Sequence, residues 1–362
     1  MSEVIVIGAG VIGAACAWRL AQAGARVTLL ERSAPAAGAS QAALGVLQYH
    51  AKPGTHPAYQ YLSTRSRELY PDLIAELAEV TGERVPYTAG GQLSVALAEA
   101  DWPDLEAQLA LNAGPGVTAE RATAEECRLL EPALTPAVLG GVFFPANAWV
   151  DNTALTLALA QAAQRAGAHL ERAEATAIAR EGDRATAVMA GGQRLAADWI
   201  VLAAGCWSGQ IAGVPPLAVR PVRGQALAVG GQLVRRVISS ARGYLAPKAS
   251  GQTLVGATVD EVGYDDELTL GGIAEVAAIG LELAPRLAEM SWEGAWAGLR
   301  PATPDGLPYV GPFAECPNLV AAAGHFRNGI LQAPATAEVV AAIVMGGEAP
   351  EAAKGLTPDR AR

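Results

Sequence analysis

The sequence has 362 residues, of which 51% are hydrophobic and 17% charged, which is typical of a folded globular protein rather than a disordered one. Its formal net charge of −10 argues against broad electrostatic binding to nucleic acid or to an anionic membrane surface. No uninterrupted apolar run reaches the roughly 18 residues of a membrane-spanning helix. The first strand already begins at Val4, which leaves no signal sequence. We therefore expect a cytoplasmic protein that binds neither nucleic acid nor membranes.

Cysteine and histidine residues are few and scattered. None of them lies at the spacing of a metal-ligand set, so no metal site is predicted, and the cysteines are interpreted as small buried residues. These residues are Cys16, Cys127, Cys206, Cys316, His50, His56, His169 and His325.

The N-terminal segment has the pattern of a βαβ unit. Residues 4–7 form a continuous β-branched run, which is typical of a strand buried on both faces of a parallel sheet. Residues 11–23 have helical composition, and Gly24 predicts the end of that helix. Residues 26–30 then predict a second strand.

The turn between the first strand and the helix carries a dinucleotide-binding fingerprint. Gly8 permits a tight turn, Gly10 lets a pyrophosphate approach the backbone, and Gly13 lets the helix pack closely on the strand. The helix N-terminus offers free N–H groups and a partial positive charge to the pyrophosphate. Glu31 would accept hydrogen bonds from the adenosine ribose and would repel the 2′-phosphate of NADP. The fingerprint therefore predicts either FAD or NAD.

The same α/β pattern resumes twice along the chain. Residues 152–166 predict a helix, and residues 198–202 predict a buried strand. Near the C-terminus, residues 319–322 predict a short strand and residues 330–345 a long helix. Residues 349–362 are expected to form a frayed polar tail.

The segments between these pieces have a different character. Alternating apolar and polar residues over 92–97 and 225–229 predict half-buried antiparallel strands. We therefore predict an α/β protein, α+β overall, in which a Rossmann-like domain is interrupted by a second, largely antiparallel β domain that binds substrate. The predicted dinucleotide-binding domain comprises residues 1–84, 149–214 and 296–362, and the predicted substrate domain comprises residues 85–148 and 215–295.

Six motifs resemble those of one family. They span residues 4–32, 40–45, 201–208, 296–301, 303–311 and 324–330. On these motifs the chain is similar, over nearly its whole length, to the D-amino-acid oxidase superfamily of FAD-dependent amine oxidases, and most similar to its glycine oxidase branch. The resemblance implies a D-amino-acid oxidase and glutathione-reductase-like fold with non-covalent FAD. Sarcosine oxidases of this superfamily attach their flavin to a Cys, and the corresponding position here is about Gly298.

The resemblance also implies which residues contact the cofactor. They are Gly8, Gly10, Val11, Ile12, Gly13, Glu31, Arg32, Ser40, Gln41, Ala42, Leu44, Gly45, Thr176, Ala204, Gly205, Trp207, Arg300, His325, Arg327, Asn328, Gly329 and Ile330. The loop over 324–329 would aim backbone N–H groups at the isoalloxazine ring, where they stabilise the negative charge of its reduced form.

Five residues are predicted to form the substrate pocket. The guanidinium of Arg300 matches a carboxylate bidentately and would hold the substrate carboxylate, although an ion pair between the two domains is an alternative. Tyr244 would offer its hydroxyl to the same carboxylate, or would serve in ordinary packing. Arg327 would line the pocket or serve the cofactor. Val46 and Leu47 match positions near the substrate, and Val46 stands where family members often carry a larger Met.

The resemblance implies an oxidative deamination of glycine and other small amino acids, such as sarcosine and small D-amino acids. The α-hydrogen would leave as a hydride to flavin N5, and positioning rather than an obligatory general base would supply much of the acceleration. Dioxygen would reoxidise the flavin and give hydrogen peroxide. A homotetramer, and transfer of the imine product to a thiazole synthase in thiamine biosynthesis, are also implied.

Three other functions fit part of the sequence. A D-amino-acid or N-methyl-amino-acid dehydrogenase would pass electrons to a quinone or to a protein acceptor. A flavin-binding subunit of a heteromeric complex would need no carboxylate clamp, so Arg300 and Tyr244 argue against it. An NAD-dependent dehydrogenase would lack the flavin's yellow colour.

Overall fold

The structure is a computed structural model that describes residues 2–112 and 118–361. Within these ranges the helices alternate with strands in the first part of the chain and are sparse in the segments that form the larger sheet. The helices are α1 (Val11–Gln22), α2 (Ala39–Ala42), α3 (Pro57–Thr81), α4 (Trp102–Leu111), α5 (Ala124–Leu130), α6 (Asn152–Arg165), α7 (Leu270–Leu283) and α8 (Gly329–Val344).

The strands fall into two large and two small sheets. They are β1 (Glu3–Ile7), β2 (Arg26–Glu31), β3 (Val46–Leu47), β4 (Tyr87–Thr88), β5 (Gln92–Ala96), β6 (Glu120–Thr123), β7 (Gly140–Phe144), β8 (Ala148–Val150), β9 (His169–Arg172), β10 (Ala175–Glu181), β11 (Arg184–Ala190), β12 (Gln193–Ala196), β13 (Trp199–Leu202), β14 (Arg220–Gly230), β15 (Val237–Ser239), β16 (Tyr244–Pro247), β17 (Gln252–Gly256), β18 (Trp292–Ala302), β19 (Tyr309–Phe313) and β20 (Cys316–Ala323).

A six-stranded sheet forms the dinucleotide-binding part, in the order β19-β20-β13-β1-β2-β9. All neighbouring strands are parallel except β19, which runs antiparallel to β20. Val4 and Val6 pack in one core with α1, α6 and α8, whereas Ile5 and Ile7 pack in a second core with β10 and β11. Because β1 is covered on both faces, every position in it is apolar after Glu3.

An eight-stranded sheet forms the other part, in the order β18-β14-β17-β16-β15-β5-β7-β6. Most of its neighbouring strands are antiparallel, and α7 packs on β14, β16 and β17. This sheet brings β18, which carries Arg300, alongside β14, and it brings β16, which carries Tyr244, alongside β17. The mixed α/β architecture with a large antiparallel sheet agrees with the predicted fold class.

We propose the two-domain division with two adjusted boundaries. The predicted boundary between residues 148 and 149 divides β8, which pairs with β3 and β4. The predicted boundary at residue 296 falls inside β18, whose residues Trp292–Ala302 pair along β14. Ending the substrate domain after Ala302 keeps that strand within its sheet.

The predicted frayed tail is wrong for the described residues. Short 3-10 turns cover Glu351–Leu356 and Pro358–Ala361, and Leu356 is buried in the first core. The guanidinium of Arg360 donates to Asp305 Oδ2 at 2.9 Å, and it lies over the ring of Tyr309. These contacts hold the tail against β19, and they are long-range contacts that local polarity does not reveal.

Among the described residues, no helix combines the length and apolar character needed to cross a bilayer.

Candidate active site

Two adjoining cavities lie between the sheets, with volumes of about 540 and 580 Å³. The first lies over the carboxyl ends of β1 and β2 and is called the nucleotide cavity. The second lies against the eight-stranded sheet and is called the substrate cavity. The residues that line both cavities are Ala39, Ala43, Gly298, Phe326, Arg327 and Ile330. A dinucleotide cofactor that enters from the nucleotide cavity would therefore present its reactive ring at this junction.

The glycine-rich turn forms the floor of the nucleotide cavity. Gly8 has φ +102°, a left-handed conformation that side chains strongly disfavour. A Cβ at Gly13 would overlap the carbonyl oxygen of Gly8, so only glycine lets α1 pack this closely. The N–H of Val11 donates to Ser40 Oγ at 2.9 Å, which ties α1 to the following segment. The turn thus has the shape that a pyrophosphate requires.

Glu31 and Arg32 shape the adenosine side of this cavity. One carboxylate oxygen of Glu31 accepts from the Ala9 N–H at 2.9 Å, and the other accepts from the Ser33 N–H at 2.9 Å. The carboxylate therefore braces the turn and remains in the cavity wall, where it can also meet a ribose. The Arg32 guanidinium lies 4.0 Å from the Trp207 ring centroid and stiffens the opposite wall.

The C-terminal loop brings a second helix N-terminus to the junction. Helix α8 begins at Gly329 after the short 3-10 turn Phe326–Asn328, and no side chain caps its N-terminus. Gly329 and Ile330 line the nucleotide cavity, so the partial positive charge of a 16-residue helix points toward the cofactor. This arrangement fits the electron-rich edge of a flavin.

His325 precedes this helix and is buried. Its Nε2 lies 3.0 Å from Thr336 Oγ1. Burial lowers the pKa of His325 to about 3, so the ring is neutral at physiological pH and adds no charge to the junction.

Arg300 lies in the substrate cavity with its guanidinium in a site shaped by the backbone. A Cβ at Gly224, on the adjacent strand β14, would overlap Nη1, Nη2 and Cζ of Arg300. Nη1 donates to the carbonyl oxygen of Thr258 at 3.0 Å. No carboxylate among the described residues forms an ion pair with Arg300, so the alternative of a structural ion pair is not observed. Burial lowers its pKa, and Arg327 adds to this lowering.

Tyr244 faces the same cavity as Arg300. Burial raises the pKa of Tyr244, while the charges of Arg300 and Arg327 lower it by smaller amounts. The net increase in the pKa of Tyr244 keeps its hydroxyl protonated. The hydroxyl can therefore donate a hydrogen bond to an anion held by Arg300.

The far wall of the substrate cavity consists of polar residues that the sequence analysis missed. They are Gln48, Lys52, Gln92, Ser94, Asp101, Asp104, Gln108 and Ser239. Some follow β3 directly, but others come from α4 and β5, and only the folded chain brings them together. The sequence signal for this wall is the pair of polar residues, Gln48 and Lys52, that follows the predicted cofactor-binding segment 40–45.

His50 organises this far wall from behind. Its ring stacks on Phe144 with centroids 3.7 Å apart. Its Nδ1 lies 2.8 Å from Asn147 Nδ2, and its Nε2 lies 3.0 Å from Gln108 Oε1 and 2.8 Å from Gln48 Nε2. Burial, followed by the charge of Lys52, lowers the pKa of His50 to about 3. The neutral ring therefore fixes Gln108 in the cavity wall.

Most predicted site residues lie around the two cavities. In the nucleotide cavity these are Gly8, Gly10, Val11, Ile12, Glu31, Arg32, Ser40, Thr176, Ala204, Gly205, Trp207, His325, Arg327, Gly329 and Ile330. In the substrate cavity they are Ala42, Leu44, Gly45, Val46, Tyr244, Arg300, Arg327, Asn328 and Ile330.

Three predicted residues do not line either cavity. Gly13 contributes through helix packing. Gln41 is exposed, and its backbone carbonyl accepts from Asn152 Nδ2 at 3.2 Å. Leu47 is fully buried in the first core. Because successive residues of a strand point to opposite faces, Val46 faces the cavity and Leu47 faces away from it.

Comparison with known proteins decides the family. Residues 3–343 match the model of the FAD dependent oxidoreductase family, DAO. The chain belongs to this family. It is 33% identical to a glycine oxidase of Geobacillus kaustophilus, over 98% of this chain and 95% of the relative. The crystal structure of glycine oxidase from that organism superposes with a TM-score of 0.90, covering 96% of this chain and 95% of the other.

A further relative is the bifunctional protein ThiO/ThiG of Synechocystis, which is 33% identical over 99% of this chain. The match covers only 54% of that relative, so a region similar to this chain is joined there to a further segment.

Membership of the family confirms the prediction of an FAD-dependent amino-acid oxidase. The four cysteines are buried, and only Cys206 lines either cavity, on the nucleotide side. At Gly298, a Cβ would overlap the Cβ of Ala42. The junction thus fits a flavin held without a covalent bond.

Proposed function

We propose that this DAO-family enzyme oxidises glycine and other small amino acids, including sarcosine and small D-amino acids. The observation that carries the proposal is the partly buried Arg300 guanidinium, which lines the substrate cavity and forms no ion pair with a carboxylate among the described residues. A partly buried cation without a partner is costly, so such a site favours an anionic ligand. The glycine oxidases at about one-third identity support glycine as the reference substrate.

The residues of the chain have distinct roles in this reaction. Arg300 binds the substrate carboxylate, and the Tyr244 hydroxyl donates to the same group. Together they orient the α-carbon toward the junction, and this positioning removes much of the entropic part of the barrier. Bound FAD supplies the two-electron acceptor for the α-hydrogen, which leaves as a hydride. The N-terminus of α8 stabilises the negative charge that then develops at the junction.

The protonation state that controls hydride loss is that of the substrate amine and not that of a protein side chain. A hydride leaves from an amino acid whose nitrogen lone pair is free, because that pair forms the new C=N bond. The cavity wall offers glutamine and serine side chains that can accept a hydrogen bond from the amine without carrying charge. Water then hydrolyses the imine to an oxo acid and releases the amine nitrogen.

The proposal also covers the electron acceptor, the cellular location and the assembly. We take dioxygen as the electron acceptor, the cytoplasm as the location and a homotetramer as the assembly, on family resemblance. Transfer of the imine to a thiazole synthase is supported by the ThiO/ThiG relative, in which a region similar to this chain is part of a longer protein.

A substrate screen tests this function. The purified holoenzyme is incubated with glycine, sarcosine, D-alanine and D-proline, and both hydrogen peroxide release and anaerobic loss of the oxidised flavin absorbance are measured. We expect peroxide with glycine or sarcosine. Anaerobic bleaching without peroxide would indicate a dehydrogenase with another acceptor, and no bleaching with any of the four would contradict the proposed function.

A further inference from the structure

Four cationic side chains line the substrate cavity together with two carboxylates, Asp101 and Asp104. Arg300, Arg327 and Lys52 all line it, and none forms an ion pair with a carboxylate among the described residues. The fourth cation of the wall, Arg242, is paired with Glu282 at 2.7 Å. A single substrate carboxylate at Arg300 would leave Lys52 without an ion-pair partner, since Asp104 on the same wall acts on the lysine only through space.

The backbone around Lys52 is held in place. The N–H of Ala51 donates to Asn112 Oδ1 at 2.9 Å, and Asn112 Nδ2 donates to the carbonyl oxygen of Ala51 at 2.9 Å. The N–H of Lys52 donates to Thr55 Oγ1 at 3.1 Å, and that hydroxyl donates to the Lys52 carbonyl at 2.7 Å. Only the lysine side chain must therefore be ordered when an anion binds.

The Lys52 side chain is exposed, and its ammonium forms no ion pair with a carboxylate among the described residues. Loss of hydration lowers the pKa of Lys52, whereas Asp104 raises it and Arg327 lowers it. The Asp104 carboxylate accepts from Gln108 Nε2 at 2.6 Å and forms no ion pair with the lysine. Arg327 lowers the pKa of both Lys52 and Arg300, so its charge acts on both ends of the cavity.

The cavity is also longer than a small amino acid. Its volume of about 580 Å³ extends from Arg300 and Tyr244 to Gln48, Lys52 and Gln108. Cavities of roughly 300–1,000 Å³ hold drug-sized ligands. The flavin ring would take part of this volume, and a substrate bound at Arg300 would share the rest.

We propose that the cavity takes amino acids that carry a second carboxylate, with Arg300 binding the first carboxylate and Lys52 the second. This inference rests on the proposed function and specifies its substrate class. The second carboxylate is attached through the amine in iminodiacetate and through the side chain in D-aspartate. Both present two anionic groups separated by a few bonds.

The reaction with iminodiacetate balances as follows. The α-hydrogen leaves as a hydride, so the flavin gains two electrons and the nitrogen lone pair forms a C=N bond. The N–H proton is released to solvent, and water hydrolyses the imine to glyoxylate and glycine. The second carboxylate is bound but not changed.

Binding of non-oxidisable analogues tests the inference without turnover. Isothermal titration calorimetry of the holoenzyme compares diglycolate, the ether analogue of iminodiacetate, with methoxyacetate, which lacks one carboxylate. We expect diglycolate to bind about tenfold more tightly or better, as a charged hydrogen bond provides. Lys52→Met should remove this preference and Lys52→Arg should retain it. Lys354→Met, at an exposed lysine distant in sequence, is the matched control and should keep the wild-type preference.

Steady-state kinetics show whether the second carboxylate is attached through the amine or through the side chain. Iminodiacetate is compared with its monoamide, and D-aspartate with D-asparagine; the pair that shows the larger preference for the acid identifies where the second carboxylate lies. Lys52→Met should lower kcat/KM for the preferred acid about tenfold more than kcat/KM for sarcosine.

Equal affinity for diglycolate and methoxyacetate, or a preference that survives in Lys52→Met, would overturn the inference. If sarcosine or glycine is still oxidised in that case, the proposed function stands. If no amine bleaches the flavin, the proposed function fails, and the calorimetric comparison still decides whether Lys52 binds a second anion.

Discussion

The guanidinium of Arg300 occupies the space that any side chain at Gly224 would fill. The two residues lie on the paired strands β18 and β14, where Gly224 is opposite Gly298 and Val222 is opposite Arg300. The bare backbone at Gly224 therefore sets the height of the guanidinium above the sheet. Positioning of the Arg300 guanidinium therefore depends on the absence of a side chain at Gly224.

This relationship predicts that Gly224→Ala displaces Arg300 while leaving the sheet intact. Gly224 does not have a positive φ, so alanine introduces no backbone strain there. We expect kcat/KM for sarcosine to fall about tenfold or more, since misplacing a substrate-positioning group by about 1 Å costs up to two orders of magnitude. Gly271→Ala is the control, because open space surrounds that position. Equal loss in both variants would indicate a general effect on folding.

Tyr244→Phe should raise KM for glycine and sarcosine about tenfold, because it removes one hydrogen bond to a charged group. Because burial raises the pKa of Tyr244, the wild-type phenol stays protonated, and the ratio of the two KM values should be constant across neutral pH. Steady-state kinetics at several pH values measure this ratio. Tyr61→Phe, on α3 and outside both cavities, should have no effect on KM. An unchanged KM in Tyr244→Phe would refute the role of the hydroxyl.

Gly13→Ala should weaken FAD binding about tenfold or more, because the added methyl group overlaps the Gly8 carbonyl and pushes α1 from β1. The ratio of flavin to protein absorbance after gel filtration, followed by titration with FAD, measures the loss. Gly271→Ala is the control, since no atom lies within 4 Å of its added Cβ and its φ is not positive. Full retention of FAD by Gly13→Ala would contradict the assigned packing role.

The buried histidines predict loss of stability in acid. Burial lowers the pKa of His50 and of His325 from 6.5 to about 3. The unfolded chain therefore binds more protons than the folded chain between these values, and the free energy of unfolding falls as pH decreases below 6.5. Each histidine should cost about 2 kcal/mol between pH 7 and pH 5.

Urea unfolding at a series of pH values measures this dependence. His325→Gln should make the slope of unfolding free energy against pH shallower, whatever its effect at neutral pH. His169→Gln, at an exposed position, should keep the wild-type slope. Parallel slopes in wild type and His325→Gln would show that His325 does not contribute.

Local sequence accounts for the parts of the site whose contacts are local. The close approach of Gly13 to the Gly8 carbonyl joins residues five positions apart, so their spacing predicts this turn and the helix that follows it. The Val46 and Leu47 pair shows the limit of this reasoning. Both were predicted in the pocket, but a strand points them to opposite faces, and only the position of β3 decides which one faces the cavity.

Local sequence spacing does not predict the far wall of the substrate cavity. Gln108 reaches the cavity through a hydrogen bond to His50, and Lys52 lies on a loop fastened by Asn112. These contacts join the segment after β3 to α4, and no motif spans them. The C-terminal tail was missed for the same reason, since Arg360 is fixed by Asp305 across the fold.

The most direct test of the central claim is anaerobic mixing of sarcosine with the FAD-loaded wild type, Arg300→Lys and Arg300→Ala enzymes, followed at the visible absorbance band of oxidised flavin. Arg220→Ala, an exposed arginine on β14 paired with Glu261, is the control. We expect fast bleaching in the wild type and control, slower bleaching in Arg300→Lys because lysine cannot bind the carboxylate bidentately, and little in Arg300→Ala. Wild-type bleaching in Arg300→Ala, at equal substrate concentration and with full FAD content, would contradict the claim that Arg300 positions the substrate.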